Sequence, residues 1–206
     1  MLLRPDEIFI PRIAVPELVD LARLFGRDAA TPRAVELEIG SGKGRFLVQA
    51  AQRWPERDFV GVEMVGKLGR KIRDKVQRAG LTNVRVLQAE ARDLLATRVA
   101  AGSLRRVHVY FPDPWPKRRH AAHRLFSGAL PDSLARALEP GGELLLATDF
   151  DPYFREVVAR VGDHEAFVRV LPDPFRDIPR GGFDAIFEAA GIPAFRAIWQ
   201  RVRDPA

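Results

Sequence analysis

The chain is predicted to adopt an α/β fold, with a mostly parallel seven-stranded sheet covered by helices on both faces. Three observations carry that prediction. Strand-length apolar runs alternate with segments of helical period, a glycine cluster (Gly40-Ser41-Gly42-Lys43-Gly44) sits at a strand-to-helix junction, and acidic residues close successive strands. Right-handed crossovers between such strands force neighbours to run parallel, which requires helices above and below.

The elements follow in order. Residues 1–30, with Pro5, Pro11 and Pro16, read as an irregular arm holding one short helix around Glu17 to Phe25. Ala34 to Ile39 alternates as a first strand and runs into the glycine cluster, after which Phe46, Leu47, Ala50, Ala51 and Trp54 recur with helical spacing. Asp58 to Glu63 is the second strand. Its helix carries the apolar stripe Val65, Leu68, Ile72, Val76 and Ala79 and stops at Gly80. Asn83 to Gln88 and Arg106 to Phe111 are the third and fourth strands. Leu125 to Leu138 is mostly helical, divided at Pro131, and Gly141-Gly142 turns into the strand Glu143 to Thr148. A helix from Asp151 to about Val161, a strand at Phe167 to Leu171, a short helix at Asp184 to Ala190 and a strand at Ala194 to Val202 complete the chain.

One domain over residues 1–206 is expected, since no Pro/Gly/Ser-rich linker divides the sequence. No apolar run approaches the roughly 20 residues that span a bilayer. The first residues lack a signal-peptide layout, so a cytoplasmic protein is expected. The absence of cysteine excludes disulfides, thiolate metal sites and cysteine nucleophiles, and no metal is called for. A net charge of +6 favours a polyanionic partner. The cations are concentrated at Lys67, Arg70, Lys71, Arg73, Lys75 and Arg78, and again at Arg105, Arg106, Lys117, Arg118, Arg119 and Arg124. Phosphate contacts or solvated faces would each account for such clusters.

Gly40, Gly42 and Gly44 let the backbone turn tightly and approach a ligand. A dinucleotide fingerprint places its third glycine one residue later, where Arg45 stands here, so nicotinamide binding is disfavoured. Glu63 closes the second strand about 20 residues beyond the glycines, where a ribose diol is gripped. Glu38 lies close by and would repel a pyrophosphate but accept a cation. S-adenosylmethionine has that character: an adenosine, a sulfonium and an amino acid tail. Glu90, beyond the third strand, is placed to meet an adenine amine or to start a helix.

In Phe111-Pro112-Asp113-Pro114-Trp115-Pro116-Lys117-Arg118-Arg119-His120, three prolines within five positions stiffen a segment that leaves the carboxyl end of a strand. Asp113 is thereby held at the rim where α/β sheets bind ligands. Trp115 is placed to stack on a base or to pack on the core, and Lys117, Arg118 and Arg119 to hold phosphates.

Glu38 to Gly44, Gly61-Val62-Glu63, the Pro-Asp-Pro-Trp-Pro-Lys block, Thr148-Asp149 and Gly191-Ile192-Pro193 together resemble the bacterial tRNA (guanine-N7-)-methyltransferases, in order, across most of the chain. The resemblance implies a Rossmann-like class I methyltransferase fold, S-adenosylmethionine as donor, and methylation of the variable-loop guanine of tRNA. It assigns Glu38, Glu63, Glu90 and Asp113 to the cofactor side, makes Asp113 the catalytic residue, and gives Lys117 and Asp149 to substrate. The sequence departs from the family in two places. Glu90 replaces the usual aspartate, and the family's Thr-x-Tyr/Phe-Glu motif falls on Gly181-Gly182-Phe183-Asp184, so Gly181, Phe183 and Asp184 stand at substrate positions without the threonine hydroxyl. A methyltransferase for a small molecule or protein would share the glycine turn and the acids without needing the cationic block. A non-enzymatic RNA-binding module would leave the acids unexplained.

Overall fold

Eight strands form one sheet: β1 (Phe9–Ile10), β2 (Val35–Ile39), β3 (Asp58–Val62), β4 (Val84–Leu87), β5 (Leu104–Tyr110), β6 (Leu138–Thr148), β7 (Phe167–Arg169) and β8 (Phe195–Arg201). The computed structural model describes residues 7–12, 15–27, 33–171, 178–179 and 190–202. The strand order is β1-β4-β3-β2-β5-β6-β8-β7, parallel from β1 to β6, with β8 antiparallel to both β6 and β7. The chain steps from β2 to β3 and β4 on one side, then returns to place β5 and β6 on the other. A crevice therefore opens at the carboxyl ends of β2 and β5, the topological switch point.

Among the described residues the α-helices are α1 (Leu21–Leu24), α2 (Arg45–Arg53), α3 (Gly66–Arg78), α4 (Ala91–Asp93), which continues as a π turn over Leu94–Arg98, α5 (Leu130–Ala137) and α6 (Asp151–Gly162). The stripes on α2 and α3 bury Phe46, Leu47, Ala50, Ala51, Ile72 and Val76 against Phe59, Val84 and Val86 on one face of the sheet. The other face packs Leu21, Leu24, Leu94, Leu95, Leu134, Tyr153 and Val157 into a larger core. Every residue of β2, β3 and β4 is buried, as a parallel strand covered on both faces demands. Among the described residues, no helix is long and apolar enough to cross a membrane.

The fold expected from the sequence is present, with local differences. The sheet has eight strands rather than seven, because the arm contributes β1, whose Phe9 lies over α3 where a Cβ on Gly69 would meet its ring at 2.2 Å. The arm's helix is confined to Leu21–Leu24, started by the Asp20 carboxylate accepting from the Arg23 amide at 3.1 Å. Pro131 does not divide a helix but stands in the first turn of α5, where its missing amide costs nothing. Gly141-Gly142 lies inside β6, which already pairs at Leu138 with Leu104 and shifts register before Glu143. A Cβ at Gly142 would sit 2.8 Å from the Glu139 carbonyl, so only glycine permits this irregularity. The predicted helix at Asp184 to Ala190 lies outside the described residues except for its last residue.

Candidate active site at the switch point

The glycine turn leaves β2 with Gly40, Gly42 and Gly44 at φ of 73°, 53° and 66°, a left-handed run closed to residues with a Cβ except under strain. The amides of Gly40 and Ser41 donate to the Val62 carbonyl at 2.9 and 3.3 Å, and Gly44 to Ser41 at 2.7 Å. Glu63, at the end of β3, spans this turn and the start of α3. Its Oε2 accepts from the Gly42 amide and its Oε1 from the Val65 amide, each at 2.8 Å. Each carboxylate oxygen has two acceptor directions, so Glu63 fixes the turn and still offers capacity to a diol.

Glu38 is buried two residues before Gly40, and its Oε2 has no hydrogen-bond partner among the described residues. Burial pushes its carboxyl up to about 8; a bond from Ser41 opposes that and the nearby Glu63 charge adds to it. A buried acid in this state lacks a cation. The donor group that the sequence implies brings one, so the orphaned oxygen and the diol-capable Glu63 fit S-adenosylmethionine. Glu90 lies beyond β4 at the same edge, but its carboxylate caps α4. Its Oε2 accepts from the Asp93 amide at 3.0 Å, and its Oε1 pairs with the Arg92 guanidinium at 3.2 Å. The helix-start alternative thus describes its present contacts.

Asp113 follows β5, which is parallel to β2 with Val109 opposite Ile39, so its loop and the glycine turn leave adjacent strands at the same edge. Phe111 and Trp115 have φ of 50° and 40°, two aromatic corners in the left-handed region. The Phe111 amide ties the first corner to Ala147 of β6 at 2.7 Å. Arg124 ties the second: its guanidinium donates to the carbonyls of Pro114 at 3.0 Å and Trp115 at 3.2 Å, pairs with Glu156 of α6 and lies 5.6 Å from the Tyr153 ring centre. The Trp115 ring packs against His120 and His123, with centroids 5.6 and 5.1 Å away. Between these corners the exposed Asp113 side chain makes no hydrogen bond or ion pair among the described residues. Asp149 is exposed just beyond β6, next to β5 in the sheet. Lys117 and Arg119 are exposed, and the Arg119 Nε lies 3.3 Å from the His120 Nε2. The Arg118 side chain and all of Gly181, Phe183 and Asp184 lie outside the described set.

Two features were missed by the sequence reading. Arg124, one of the clustered cations for which phosphate contact and a solvated face stood as alternatives, instead clamps the loop. Beneath α2, a polar line centred on the buried Glu36 and His108 joins Arg57 to Glu36 at 2.9 Å, Glu36 to His108 Nε2 at 2.7 Å, and His108 Nδ1 to the Tyr110 hydroxyl at 2.8 Å. Burial is the largest influence on Glu36 and pushes its carboxyl up, but the His108 bond and the charges of His108, Arg106 and Arg57 hold it below its ordinary value. Phe46 packs on both rings, at 4.6 Å from His108 and 5.0 Å from Tyr110. The available signal was period two: Glu36 and Glu38 on β2, His108 and Tyr110 on β5, polar residues recurring on one face of apolar strands.

A family model described as "Putative methyltransferase" matches residues 32–177. A tRNA (guanine-N(7)-)-methyltransferase from Leifsonia xyli is 43% identical over 163 residues, covering 79% of this chain and 70% of that protein. The protein of the same name from Thiobacillus denitrificans is 36% identical over 193 residues, covering 91% and 80%. Among solved structures, the aminoglycoside resistance methyltransferase NpmB1 superposes with a TM-score of 0.62 at 21% identity, covering 94% of this chain and 98% of that one, a likeness of fold. The chain belongs to the tRNA (guanine-N7-)-methyltransferase family.

Proposed function

We infer that this protein transfers the methyl group of S-adenosylmethionine to N7 of a guanine in the variable loop of tRNA. The observation that carries the reading is the buried Glu38, whose Oε2 has no hydrogen-bond partner among the described residues, beside a glycine turn clamped by Glu63 and opening on the same sheet edge as Asp113. When bound, the cofactor supplies an electrophilic methyl on a positively charged sulfur. Glu38 offers the anionic side that such a charge requires, and Glu63 offers acceptors to the ribose while holding the turn rigid.

Guanine N7 has a free lone pair and no proton, so its attack needs no general base, and the product ring gains positive charge. The protein's tasks are alignment and the placement of negative charge where that ring becomes cationic. Asp113, fixed at both backbone corners and uncommitted at its side chain, suits both. Its carboxylate accepts from the N1 and N2 donors of guanine, a pair that adenine lacks, which selects the base. Lys117, Arg118 and Arg119 follow it as phosphate partners, with Asp149 on the neighbouring strand end.

The experiment is tritium transfer from labelled S-adenosylmethionine to bulk tRNA followed by nucleoside digestion; label in any nucleoside other than 7-methylguanosine refutes the reading. Asp113→Asn is expected to lower single-turnover methylation by roughly a hundredfold or more while calorimetric cofactor affinity stays within several-fold. Unchanged turnover would remove Asp113 from the chemistry.

A further inference from the structure

A second cluster of charge lies away from the Asp113 loop. Lys43 and Arg45 of the glycine turn meet Lys71, Lys75 and Arg78 of α3, because the turn is docked on that helix. A Cβ on Gly44 would be 2.8 Å from Ile72, and Lys75 Nζ donates to the Lys43 carbonyl at 2.7 Å. Burial is the main cause that lowers the Lys75 ammonium, and the charges of Arg45, Lys43, Arg78 and Lys71 lower it further, so the five cations share one field. Lys43, Arg45, Lys71 and Arg78 are exposed. Among the described residues none of the five has an acidic partner. Several arginines elsewhere are paired with acids: Arg27 with Asp58, Arg57 with Glu36, Arg106 with Glu143 and Arg124 with Glu156.

This concentration opposes folding in a second way. Arg45 opens α2 and Lys67 is the second residue of α3, at the positive ends of both helix dipoles, with no acid in either first turn. An anionic partner would relieve both costs. The cofactor is not that partner, since it is itself cationic and its pocket is lined by acids. Lys67, Lys71, Lys75 and Arg78 recur at spacings of four, four and three, a stripe of one helix face about 17 Å long at 1.5 Å per residue. A stripe of that length suits a succession of phosphates rather than one.

We propose that Lys43, Arg45, Lys71, Lys75 and Arg78 form a second contact for the tRNA backbone, on the opposite side of the cofactor crevice from Lys117 and Arg119. Helix α3 joins β3 to β4, whereas the Asp113 loop leaves β5 across β2, so the two basic surfaces straddle the site of transfer. The proposal rests on tRNA being the substrate. It assigns this face to a part of the tRNA remote from the target guanine, where it contributes affinity and orientation without reading sequence.

The test uses the full chain with Lys71→Gln and Arg78→Gln combined, two exposed side chains with no partner among the described residues. Fluorescence anisotropy of labelled tRNA across a salt series is expected to show affinity reduced on the order of tenfold at low salt. The slope of log affinity against log salt should be shallower by about two, roughly one per lost phosphate contact. Initial rates should show a raised KM for tRNA with kcat and cofactor affinity unchanged. A slope equal to that of the wild type, in a variant whose circular dichroism is unaltered, overturns the proposal, as does loss confined to binding of phosphatidylserine vesicles. If the wild type transfers no methyl to tRNA, the functional reading fails separately, and the salt slope still decides whether this face holds RNA.

Discussion

Glu38 shows how one side chain couples binding to acidity. In the folded, ligand-free protein its carboxyl titrates at about 8, against an ordinary 4.5, so the unfolded chain loses this proton first as pH rises. The stability linked to that proton is complete below pH 4.5 and is lost as pH climbs through the folded value. Glu38→Gln is therefore expected to flatten the fall of melting temperature between these values. It should also raise the melting temperature near pH 8 by several degrees, while weakening cofactor binding at least tenfold; scanning fluorimetry over pH with parallel calorimetry measures both. In the wild type, loading a cation below pH 8 should expel a proton, visible as a buffer-dependent binding enthalpy. Glu38 and Glu63 were legible in the sequence because each closes a strand beside glycines. The duty of Arg124 was not: a cation paired with Glu156 and one awaiting a phosphate read alike until α6 is placed beside the loop.

Among elements, the Pro-Trp loop is rigid less because of its prolines than because of what holds its corners. Arg124→Ala removes two carbonyl contacts and the link to α6 and leaves Glu156 with Arg160 at 3.3 Å as its remaining described ion pair. Expected are a stability loss of about 2–3 kcal/mol by urea denaturation and new protease cleavage between Pro112 and His123, with kcat falling as Asp113 loses its position. The glycines report close packing as well as turns. At Gly61 a Cβ would lie 2.5 Å from Leu47 and 2.6 Å from the Ser41 hydroxyl, so Gly61→Ala should push α2 from β3 and cost roughly 1–3 kcal/mol in thermal or urea melts. Helix and strand periods revealed α2, α3 and β2 to β5 because amphipathic stripes and buried runs are local patterns. The Pro131 start of α5 and the bulge in β6 depend on how neighbouring segments meet, which no local period encodes.

For the whole molecule, crossover handedness made the parallel run from β2 to β6 legible, and charge counting made a polyanionic partner legible. The net charge of +6 is unevenly spread, with two basic surfaces on either side of an acid-lined crevice. Substrate affinity of the wild type should accordingly fall steeply with ionic strength, on the order of a hundredfold between ~50 and ~200 mM salt if about four phosphates are engaged, whereas cofactor affinity should change little. Filter binding and calorimetry over the same series separate the two. What composition and period could not reveal was that the last strand lies between β6 and β7. That placement has a bearing on biosynthesis. While the ribosome is still making residues up to 194, β6 presents a bare edge and β7 has nothing to pair with; six register pairs from Glu143 to Thr148 await Phe195–Arg201. The nascent polypeptide must keep that edge from sticking to other chains until β8 threads in, so the sheet matures only once that segment has been synthesised.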